Sequence, residues 1–227
     1  ETIQERQRAY LPFLRDLAAA WPQAGVSDVG CGRGEWLELL RSEGIRAQGV
    51  DLDEGMLAAC RERGLDVRRG DAIAFLQSLP DASQLAVSGF HIAEHLPFAM
   101  LHLLVAQALR VLVPGGVLIL ETPNPENLVV GTSSFYLDPT HERPLPWQLL
   151  SFLAEHHGFE RVKTLRMQES AHLAARVARH EALSLMDVLG GASPDYAIVA
   201  QKAAPDLPGL LDAAFDAERG LSLDTLA

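Results

Sequence analysis

A glycine-rich stretch near the start of the chain most tightly limits its fold. Gly30, Gly32 and Gly34 stand at alternate positions between a short apolar run and a helical pattern that begins at Trp36. Such glycines let the backbone approach a ligand closely, and the free N–H groups at the helix start can donate to it. Asp51 ends the next apolar run, where a carboxylate can bind a ribose diol. The pattern therefore predicts a parallel α/β sheet with a nucleotide-type cofactor site.

The spacing of these glycines separates two classes of cofactor. A dinucleotide-binding turn has its third glycine three residues after the second, and Glu35 stands at that position. An acidic residue at the helix start would repel a pyrophosphate. The spacing disfavours NAD, although a dinucleotide-dependent dehydrogenase or epimerase and a glycine turn without a ligand stay open.

Composition narrows the classes of function further. The 227 residues are 48% hydrophobic, which allows one full core, and the net charge of -11 opposes broad binding to nucleic acid. Cys31 and Cys60 lack metal-binding spacing, so we expect a reduced, cytoplasmic chain. No apolar run has membrane-spanning length, and no signal-peptide pattern is present at the N-terminus. Because the first residue is Glu1, we expect a piece of a longer protein with flanking domains.

Apolar runs alternate with helical patterns along the chain, which is typical of βαβ units in a parallel sheet. We expect an N-terminal helix in 1–22, a main domain in 23–204 and a helical tail or linker in 205–227. The tail is predicted to hold one amphipathic helix at Leu207–Ala217. Nothing in the pattern indicates a repeat.

Three features near the C-terminal half complete the predicted sheet. Glu121–Pro146 is rich in Pro and Asn, and we expect a long functional loop at the carboxyl end of a central strand. A helix is predicted around Ala171–Leu189, and a final strand at Tyr196–Gln201. Together with a preceding strand, this last strand suits a reversed hairpin at one edge of the sheet.

The motifs indicate a family. DVGCGRGEW followed by GVDLDEGML resembles the first two motifs of class I S-adenosylmethionine-dependent methyltransferases, whose cofactor carries no phosphate. The resemblance implies a Rossmann-like fold, which is a seven-stranded, mostly parallel sheet with a reversed terminal hairpin and helices on both faces. It also implies S-adenosyl-L-methionine as the cofactor and S-adenosyl-L-homocysteine as the product.

The resemblance also implies a set of cofactor-binding residues. Asp28 orients the glycine loop and reaches the methionyl ammonium through backbone or water, Asp51 binds the ribose, and Leu52 lies against the adenine. Asp71 stands where the third motif belongs and can accept from the adenine amine, although it is equally suited to cap the following helix. The full expected set is Asp28, Gly30, Gly32, Gly34, Asp51, Leu52, Asp71, Ala72, Phe90 and His91.

A histidine-rich segment follows the fourth expected strand. Phe90 and His91 are expected to flank the sulfonium, because an aromatic face there favours a cation. Residues 91–95 read HIAEH and formally match a zinc-protease pattern. The preceding strand and Pro97 argue against the helix that this pattern requires, so we expect no metal. The segment resembles the Glu-His element that borders the acceptor in many small-molecule methyltransferases, with Glu94 on the acceptor side orienting His95. A structural role for His95, in capping or packing the next helix, stays open.

The segment 131–144 holds the other candidate residues. Tyr136, His141 and Arg143 follow the carboxyl end of a strand, and we expect them to recognise the acceptor, with an ordered surface loop as the alternative. ETPNPENL and GTSSFYLDPTHERPLP resemble methyltransferases of bacterial polysaccharide assembly, including O-antigen chain-terminating enzymes. The resemblance implies methyl transfer to an oxygen of a sugar or sugar phosphate, in the cytoplasm or at the inner membrane face through partners.

Two mechanisms and two other classes stay open. Histidine titrates near neutral pH, so His95 or His141 can serve as the catalytic base for a hydroxyl acceptor. For a sugar-phosphate acceptor, Arg143 and protonated His141 would instead hold its oxygens. The other classes are an NAD-dependent sugar dehydrogenase or epimerase and a non-catalytic, cofactor-binding scaffold for glycan-assembly partners.

Overall fold

The computed structural model describes residues 2–227, and a single seven-stranded sheet forms its centre. The strands are β1 (Gly25–Val29), β2 (Ala47–Asp51), β3 (Val67–Arg69), β4 (Gln84–Phe90), β5 (Leu112–Pro123), β6 (Arg161–Met167) and β7 (Asp195–Gln201). Their order across the sheet is β3-β2-β1-β4-β5-β7-β6. The first five run parallel, whereas β7 is antiparallel to both β5 and β6. This arrangement confirms the expected mostly parallel sheet with a reversed terminal hairpin.

A helix follows each of the strands β1 to β4, as the sequence pattern predicts. The single N-terminal helix expected in 1–22 is instead two helices, and residue 1 lies outside the described residues. The helices are α1 (Ile3–Gln7), α2 (Pro12–Ala20), α3 (Glu35–Ser42), α4 (Glu54–Glu62), α5 (Ala72–Ser78), α6 (Phe98–Val111), α7 (Leu128–Thr132), α8 (Trp147–His157), α9 (Ala171–Ala178), α10 (Leu185–Gly191), α11 (Asp212–Asp216) and α12 (Leu223–Leu226). Short 3-10 turns occupy Arg8–Tyr10, Ala93–His95 and Ser134–Leu137. None of the helices within residues 2–227 combines the length and the apolar character needed to cross a bilayer.

Alternating residues of the central strands bury two separate hydrophobic clusters, one on each face of the sheet. In β5, Leu118 and Leu120 join the cluster that α5, α6 and α8 cover. Val117 and Ile119 join the cluster covered by α2 and α3. Side chains of a strand alternate between faces, so an apolar run covered on both sides is typical of a parallel sheet. Because both faces are covered, the carboxyl ends of the strands are where a ligand can enter.

The helix predicted around Ala171–Leu189 is wrong as a single element. The chain forms α9 and α10 instead, because His180 adopts a φ of 54° that a right-handed helix cannot contain. Ser184 then starts α10 afresh, accepting from the backbone N–H of Asp187 in a capping box.

The helix predicted at Leu207–Ala217 is also shorter than expected, and α11 covers only part of it. Gly209 and Leu211 have φ values of 75° and 71°, so no continuous helix can pass through them. Leu211 and Phe215 are buried against α2 and the sheet. These contacts hold this part of residues 205–227 on the main body.

The segment Glu121–Pro146 is more regular than the predicted loop. Strand β5 continues to Pro123, and α7 begins where the Asn127 side chain accepts from the N–H groups of Val129 and Val130. Asn127 also donates to the carbonyl oxygens of Gly190 and Ala192, at 2.9 and 2.8 Å. A buried asparagine therefore orders the start of the segment.

Candidate functional site

The glycine loop between β1 and α3 has the backbone that its sequence predicts. Gly30, Gly32 and Gly34 have φ values of 70°, 52° and 76°, a region that glycine occupies without steric cost. A Cβ on Gly34 would lie 2.7 Å from a methyl carbon of Leu65, so a larger residue would have to displace that side chain and would be strained at this φ. The loop is tied to β2, because the N–H of Gly30 donates to the carbonyl oxygen of Val50 at 2.8 Å. The result is a close, preformed cradle of backbone.

Asp51, at the end of β2, holds this loop in place. One carboxylate oxygen accepts from the N–H of Gly32 at 2.8 Å, and the other accepts from the N–H of Asp53 at 2.9 Å. Each oxygen keeps a further lone pair for a ligand. The neighbouring Leu52 has 68% of its surface exposed, so an apolar side chain stands beside the carboxylate with nothing covering it.

Asp28 lies beneath the loop and is almost fully buried, with 2% of its surface exposed. Burial raises the pKa of its carboxyl to about 7, against the opposing effect of the hydrogen bond from Ser88. The Ser88 hydroxyl donates to it at 2.7 Å. Asp28 is therefore an acceptor poised near neutral pH and suited to a nearby cation.

A cavity of about 300 Å³ opens at the carboxyl ends of β1 and β4. It brings together five of the ten expected cofactor residues: Asp28, Gly30, Gly32, Phe90 and His91. Gly34, Asp51, Leu52, Asp71 and Ala72 do not line it. Asp51 and Asp71 follow β2 and β3, which lie on the side of β1 away from β4. The expected set therefore extends along one edge of the sheet and does not surround one cavity.

Asp71 begins helix α5, as the structural alternative predicted. Its Oδ1 accepts from the N–H groups of Ile73 and Ala74, at 3.0 and 2.9 Å. Both bonds use the same oxygen, which leaves Oδ2 for another donor. The two interpretations of Asp71 are therefore compatible.

A second cavity, of about 520 Å³, lies between α2 and residues 209–219. It is larger, but its lining contains no residue that the sequence marks as functional. Phe13 and Leu211 contribute an apolar wall to it. We place the candidate site at the smaller cavity because the glycine loop, the buried carboxylate and the end of β4 meet there.

His91 has a charged environment that the sequence does not reveal. Its φ is 54°, and its ring nitrogens lie 3.2 Å from Glu94 Oε1 and 3.5 Å from Glu121 Oε1. Burial lowers the pKa of His91, but the hydrogen bonds with Glu121 and Glu94 outweigh burial and raise this pKa to about 10. The ring is therefore an imidazolium at neutral pH, held between two carboxylates.

Three residues of this region were missed by the sequence analysis. The Tyr10 hydroxyl donates to the second oxygen of Glu121, and Trp36 and Tyr10 pack on the Phe90 ring at centroid distances of 5.6 and 5.4 Å. Glu121 carried a signal, because it follows an apolar strand at its carboxyl end. Tyr10 and Trp36 resemble ordinary core aromatics in the sequence, so only their position reveals them.

Glu94 does not orient His95 as expected. It lies in the 3-10 turn Ala93–His95, where its carboxylate is directed inward to His91 and accepts from the Thr122 hydroxyl at 2.9 Å. Its side chain is buried. The hydrogen bonds of Glu94 therefore go to His91 and Thr122, although a carboxylate oxygen of Glu94 also lies within 4.8 Å of a ring nitrogen of His95.

His95 and His141 meet, although 46 positions separate them in the chain. Their ring centroids are 4.7 Å apart. His95 Nδ1 lies 3.2 Å from the Thr140 carbonyl oxygen, and His141 Nδ1 lies 2.6 Å from the Phe135 carbonyl oxygen. A carbonyl accepts only from a protonated nitrogen, so in the neutral rings Nδ1 carries the hydrogen and Nε2 is free to accept. Both rings thus offer a basic nitrogen.

The remaining acceptor-side residues, Arg143 and Tyr136, contact other aromatic side chains. The Arg143 guanidinium stacks 4.4 Å from the Phe98 ring centroid, at the start of α6. Tyr136 is 63% exposed, and its ring packs edge-on to Phe135. The structure therefore brings the two histidines into contact with each other, whereas Arg143 packs on Phe98 and Tyr136 packs on Phe135.

Two groups of side chains have a geometry compatible with a metal ion. One is Glu94 with His95 and His141, and the other is His91 with Glu121 and Asp195; in each, the potential ligand atoms lie within 4.8 Å of one another. No metal is expected from the sequence, because HIAEH is not a regular helix. The approach of His141 comes from a distant segment and has no signal in the sequence.

These features define a Rossmann-like domain with a cofactor site at the carboxyl edge of its sheet, and comparisons with known proteins place it in a family. A family model described as a methyltransferase domain matches residues 26–116. A probable S-adenosylmethionine-dependent methyltransferase of Mycolicibacterium smegmatis is 37% identical over 157 residues, which cover 68% of this chain and 59% of that protein. A ubiquinone biosynthesis O-methyltransferase of Methylococcus capsulatus is 37% identical over 103 residues, covering 43% and 42%.

The crystal structure of an S-adenosylmethionine-dependent methyltransferase from Archaeoglobus fulgidus is also similar, with a TM-score of 0.75 and 32% identity. The match covers 88% of this chain and 93% of that one. The chain belongs to the class I S-adenosylmethionine-dependent methyltransferases, which confirms the expected fold, family and cofactor. It spans about three fifths of the length of the mycobacterial relatives that it matches.

Proposed function

We propose that this chain transfers the methyl group of S-adenosylmethionine to an oxygen of a sugar or sugar phosphate in bacterial surface-polysaccharide biosynthesis of the O-antigen type. The observation that carries the proposal is the pair His95 and His141, each with its Nδ1 on a carbonyl oxygen. Glu94 lies near both rings and also bonds His91, which lines the cofactor cavity. The resemblance of the loop sequences supports the carbohydrate acceptor. A relative whose name specifies an O-methyltransferase supports oxygen.

The proposed cofactor contacts follow from the free lone pairs. Asp51 accepts from the ribose hydroxyls, Leu52 lies on the adenine, and Asp71 accepts from the adenine amine through Oδ2 beside Ala72. The three glycines let the methionyl group lie against the backbone, above Asp28. Two backbone hydrogen bonds already hold the Asp51 carboxylate in position, so little rotamer entropy is lost on binding.

The sulfonium end of the site is proposed to lie between Phe90 and His91. The imidazolium of His91 opposes a second cation, whereas Glu94 and Glu121 offset its charge. Phe90 therefore supplies the favourable aromatic contact. The carboxylate pair keeps the local charge negative, which suits a positively charged cofactor.

When bound, the cofactor supplies a methyl group on a positively charged sulfur. For a hydroxyl acceptor, Nε2 of His95 or His141 takes the hydroxyl proton as the oxygen attacks, and the hydrogen bond from Nδ1 to a carbonyl steadies the resulting imidazolium. For a phosphate acceptor no base is required, and Arg143 with protonated His141 positions the oxygens. The exposed Tyr136 contacts the sugar. Glu94, through its bond with Thr122, holds in place the 3-10 turn that contains His95.

The proposal also includes the setting of the reaction. A reduced, cytoplasmic location, with attachment to the inner membrane face through partners, accords with the two free thiols Cys31 and Cys60. The glycan or sugar-phosphate acceptor and any flanking domains belong to the same proposal. The net charge of -11 accords with a partner other than nucleic acid.

The test is an acceptor screen with product analysis. The chain is incubated with S-adenosylmethionine and either sugars with free hydroxyls or sugar phosphates, and the product is identified by NMR and mass spectrometry. A sugar methyl ether or a methyl phosphate ester is expected. Methylation of only non-carbohydrate acceptors, or none despite S-adenosylhomocysteine binding, would contradict the proposal and in the latter case favour a scaffold.

Histidine variants separate the two acceptor chemistries. For a hydroxyl acceptor, His95→Asn and His141→Asn together should lower kcat about 100-fold or more, because a positioned general base contributes that much. For a phosphate acceptor the loss should stay within about tenfold, since only positioning is removed. His156→Asn on α8 is the control. An activity that a chelator abolishes and a divalent ion restores would instead assign Glu94, His95 and His141 to a metal.

A further inference from the structure

We infer that Arg6, Gln7 and Trp36 bind the amino-acid end of S-adenosylmethionine, so that helix α1 is part of the cofactor site. The inference rests on the cofactor of the proposed function. It assigns a binding role to Arg6 and Gln7, which lie outside the family motifs, and to the indole of Trp36, the last residue of the first motif. The three residues belong to two elements, α1 and the first turn of α3, that close the same cavity.

Buried polar atoms without partners mark this place. Within residues 2–227, the buried side-chain nitrogen and oxygen atoms that lack a hydrogen-bond partner are Arg6 Nε, Gln7 Oε1 and Trp36 Nε1. All three residues line the cavity of about 300 Å³. Gln7 and Trp36 are 7% and 1% exposed. Native proteins rarely leave buried polar groups unpaired, and three in one cavity point to a ligand that pairs with them.

The position of α1 across the cavity is held by specific contacts. Gln4 donates to Glu38 Oε2 of α3 at 3.0 Å, and Arg6 donates to Gln168 after β6. The capping box of Thr2 and Glu5 starts the helix. These bonds leave the Nε atom of Arg6 and the Gln7 side chain on the cavity side of the structure without another partner.

The unpaired atoms match a zwitterion. The Trp36 indole N–H and the Arg6 guanidinium can only donate, which suits a carboxylate. The Gln7 side-chain oxygen accepts, as does the buried Asp28 carboxylate that lines the same cavity, and both suit an ammonium. A phosphate would be a poor match, because Asp28, Glu35 and Glu121 give the lining several carboxylates. The amino-acid end of the cofactor carries both required charges.

The orientation of the cofactor agrees with this assignment. Asp51 and Asp71, the proposed ribose and adenine contacts, follow β2 and β3. The cavity with Gln7 and Trp36 lies at β1 and β4, on the opposite side. A ligand that places its nucleoside over β2 and β3 therefore directs its amino acid toward α1.

The experiment compares two ligands that differ only at this end. Calorimetry or competition with the full chain measures the Kd of S-adenosylhomocysteine and of methylthioadenosine, which lacks the amino acid. Trp36→Phe removes the indole N–H together with one of the two fused rings and keeps an aromatic side chain, and Gln7→Met removes the amide; a general packing loss would weaken both ligands alike. Trp147→Phe is the matched control. The Trp147 indole N–H donates to Glu126 Oε1 over 3.1 Å, and Trp147 does not line the cavity.

Trp36→Phe and Gln7→Met should each raise the Kd of S-adenosylhomocysteine about tenfold or more, as expected for a lost hydrogen bond to a charged group. Each should change the Kd of methylthioadenosine by less than about twofold. Trp147→Phe should alter neither. Equal weakening of both ligands would show a structural role and overturn the inference, as would no change in either. A wild-type chain that binds neither ligand would refute the cofactor assignment itself, which is a different result.

Discussion

The two ends of the site differ in how they are built. The motif-bearing part of the cofactor end consists of backbone and carboxylates at the carboxyl ends of β1, β2 and β3, such as the glycine loop and Asp51. The acceptor end depends on a contact between segments far apart in the chain, where Thr140 holds His95. A binding element made from one turn is preformed as soon as its strands pair. An element made from two segments depends on the order of both.

This difference predicts that the two ends respond separately to substitution. Changes at Asp51 should act on cofactor affinity, and changes at Thr140 should act on turnover. Because β1 and β2 form their own parallel pair, the glycine loop keeps its support when the acceptor segment is altered.

The largest effect is expected for Asp51→Ala. The substitution removes the proposed ribose contacts and the acceptor for the Gly32 N–H at 2.8 Å, so the Kd of S-adenosylhomocysteine should rise about 100-fold or more. Calorimetric titration measures it. Asp53→Ala, which removes the cap of α4, should lower stability by about 1 kcal/mol and leave the Kd nearly unchanged. A small effect of Asp51→Ala would break the proposed role of this carboxylate.

An intermediate effect is expected for Asp28→Asn on stability. The pKa of Asp28 is raised from 3.8 to about 7 by burial, so between these pH values the folded chain holds a proton that the unfolded chain has released. Its contribution to stability is therefore present at low pH and lost as pH rises toward 7. Asparagine stays neutral and can still accept from Ser88.

Denaturant unfolding at pH 5 and at pH 8 measures this effect. Asp28→Asn should raise the free energy of unfolding at pH 8 by about 2 to 3 kcal/mol relative to its effect at pH 5, because about two pH units separate pH 5 from the raised pKa of about 7. An equal effect at both pH values would show that the buried carboxyl does not titrate in this range. Asp16→Asn, at an exposed position on α2, serves as the control.

The smallest effect is expected for Thr140→Ala. The variant removes the hydroxyl that lies 3.0 Å from His95 Nδ1 but keeps the carbonyl oxygen at 3.2 Å. We expect kcat to fall about threefold, because one of two positioning contacts is lost, with the Kd of S-adenosylhomocysteine unchanged. Steady-state kinetics and calorimetry on the same preparation check both values. A loss of cofactor affinity would show that the two ends are coupled.

Much of the fold is predictable because its signals are local. Short apolar runs with intervening helices indicate the parallel sheet, and glycines at Gly30, Gly32 and Gly34 indicate the turn that their positive φ values require. The break between α9 and α10 was not predictable from helical periodicity. It arises at His180, whose left-handed backbone is unusual for that residue type.

The acceptor side was predicted only in part. The histidines His95 and His141 were both expected near the acceptor, but their contact depends on the order of the segment that follows β5. Arg143 carries a charge that favours phosphate binding in the sequence, and the structure places it on Phe98 instead. Packing between distant segments decides which side chains His141 and Arg143 contact. A single sequence contains no signal for that packing.

The most direct test measures both ends in one variant. The double substitution His95→Asn with His141→Asn should bind S-adenosylhomocysteine with the wild-type Kd and show no measurable response to NAD. The same protein should transfer methyl groups about 100-fold or more slowly than wild type to a hydroxyl acceptor, or up to about tenfold more slowly to a phosphate acceptor. A Kd that rises in parallel with the loss of turnover would contradict the account, because the cofactor end would then depend on the acceptor end.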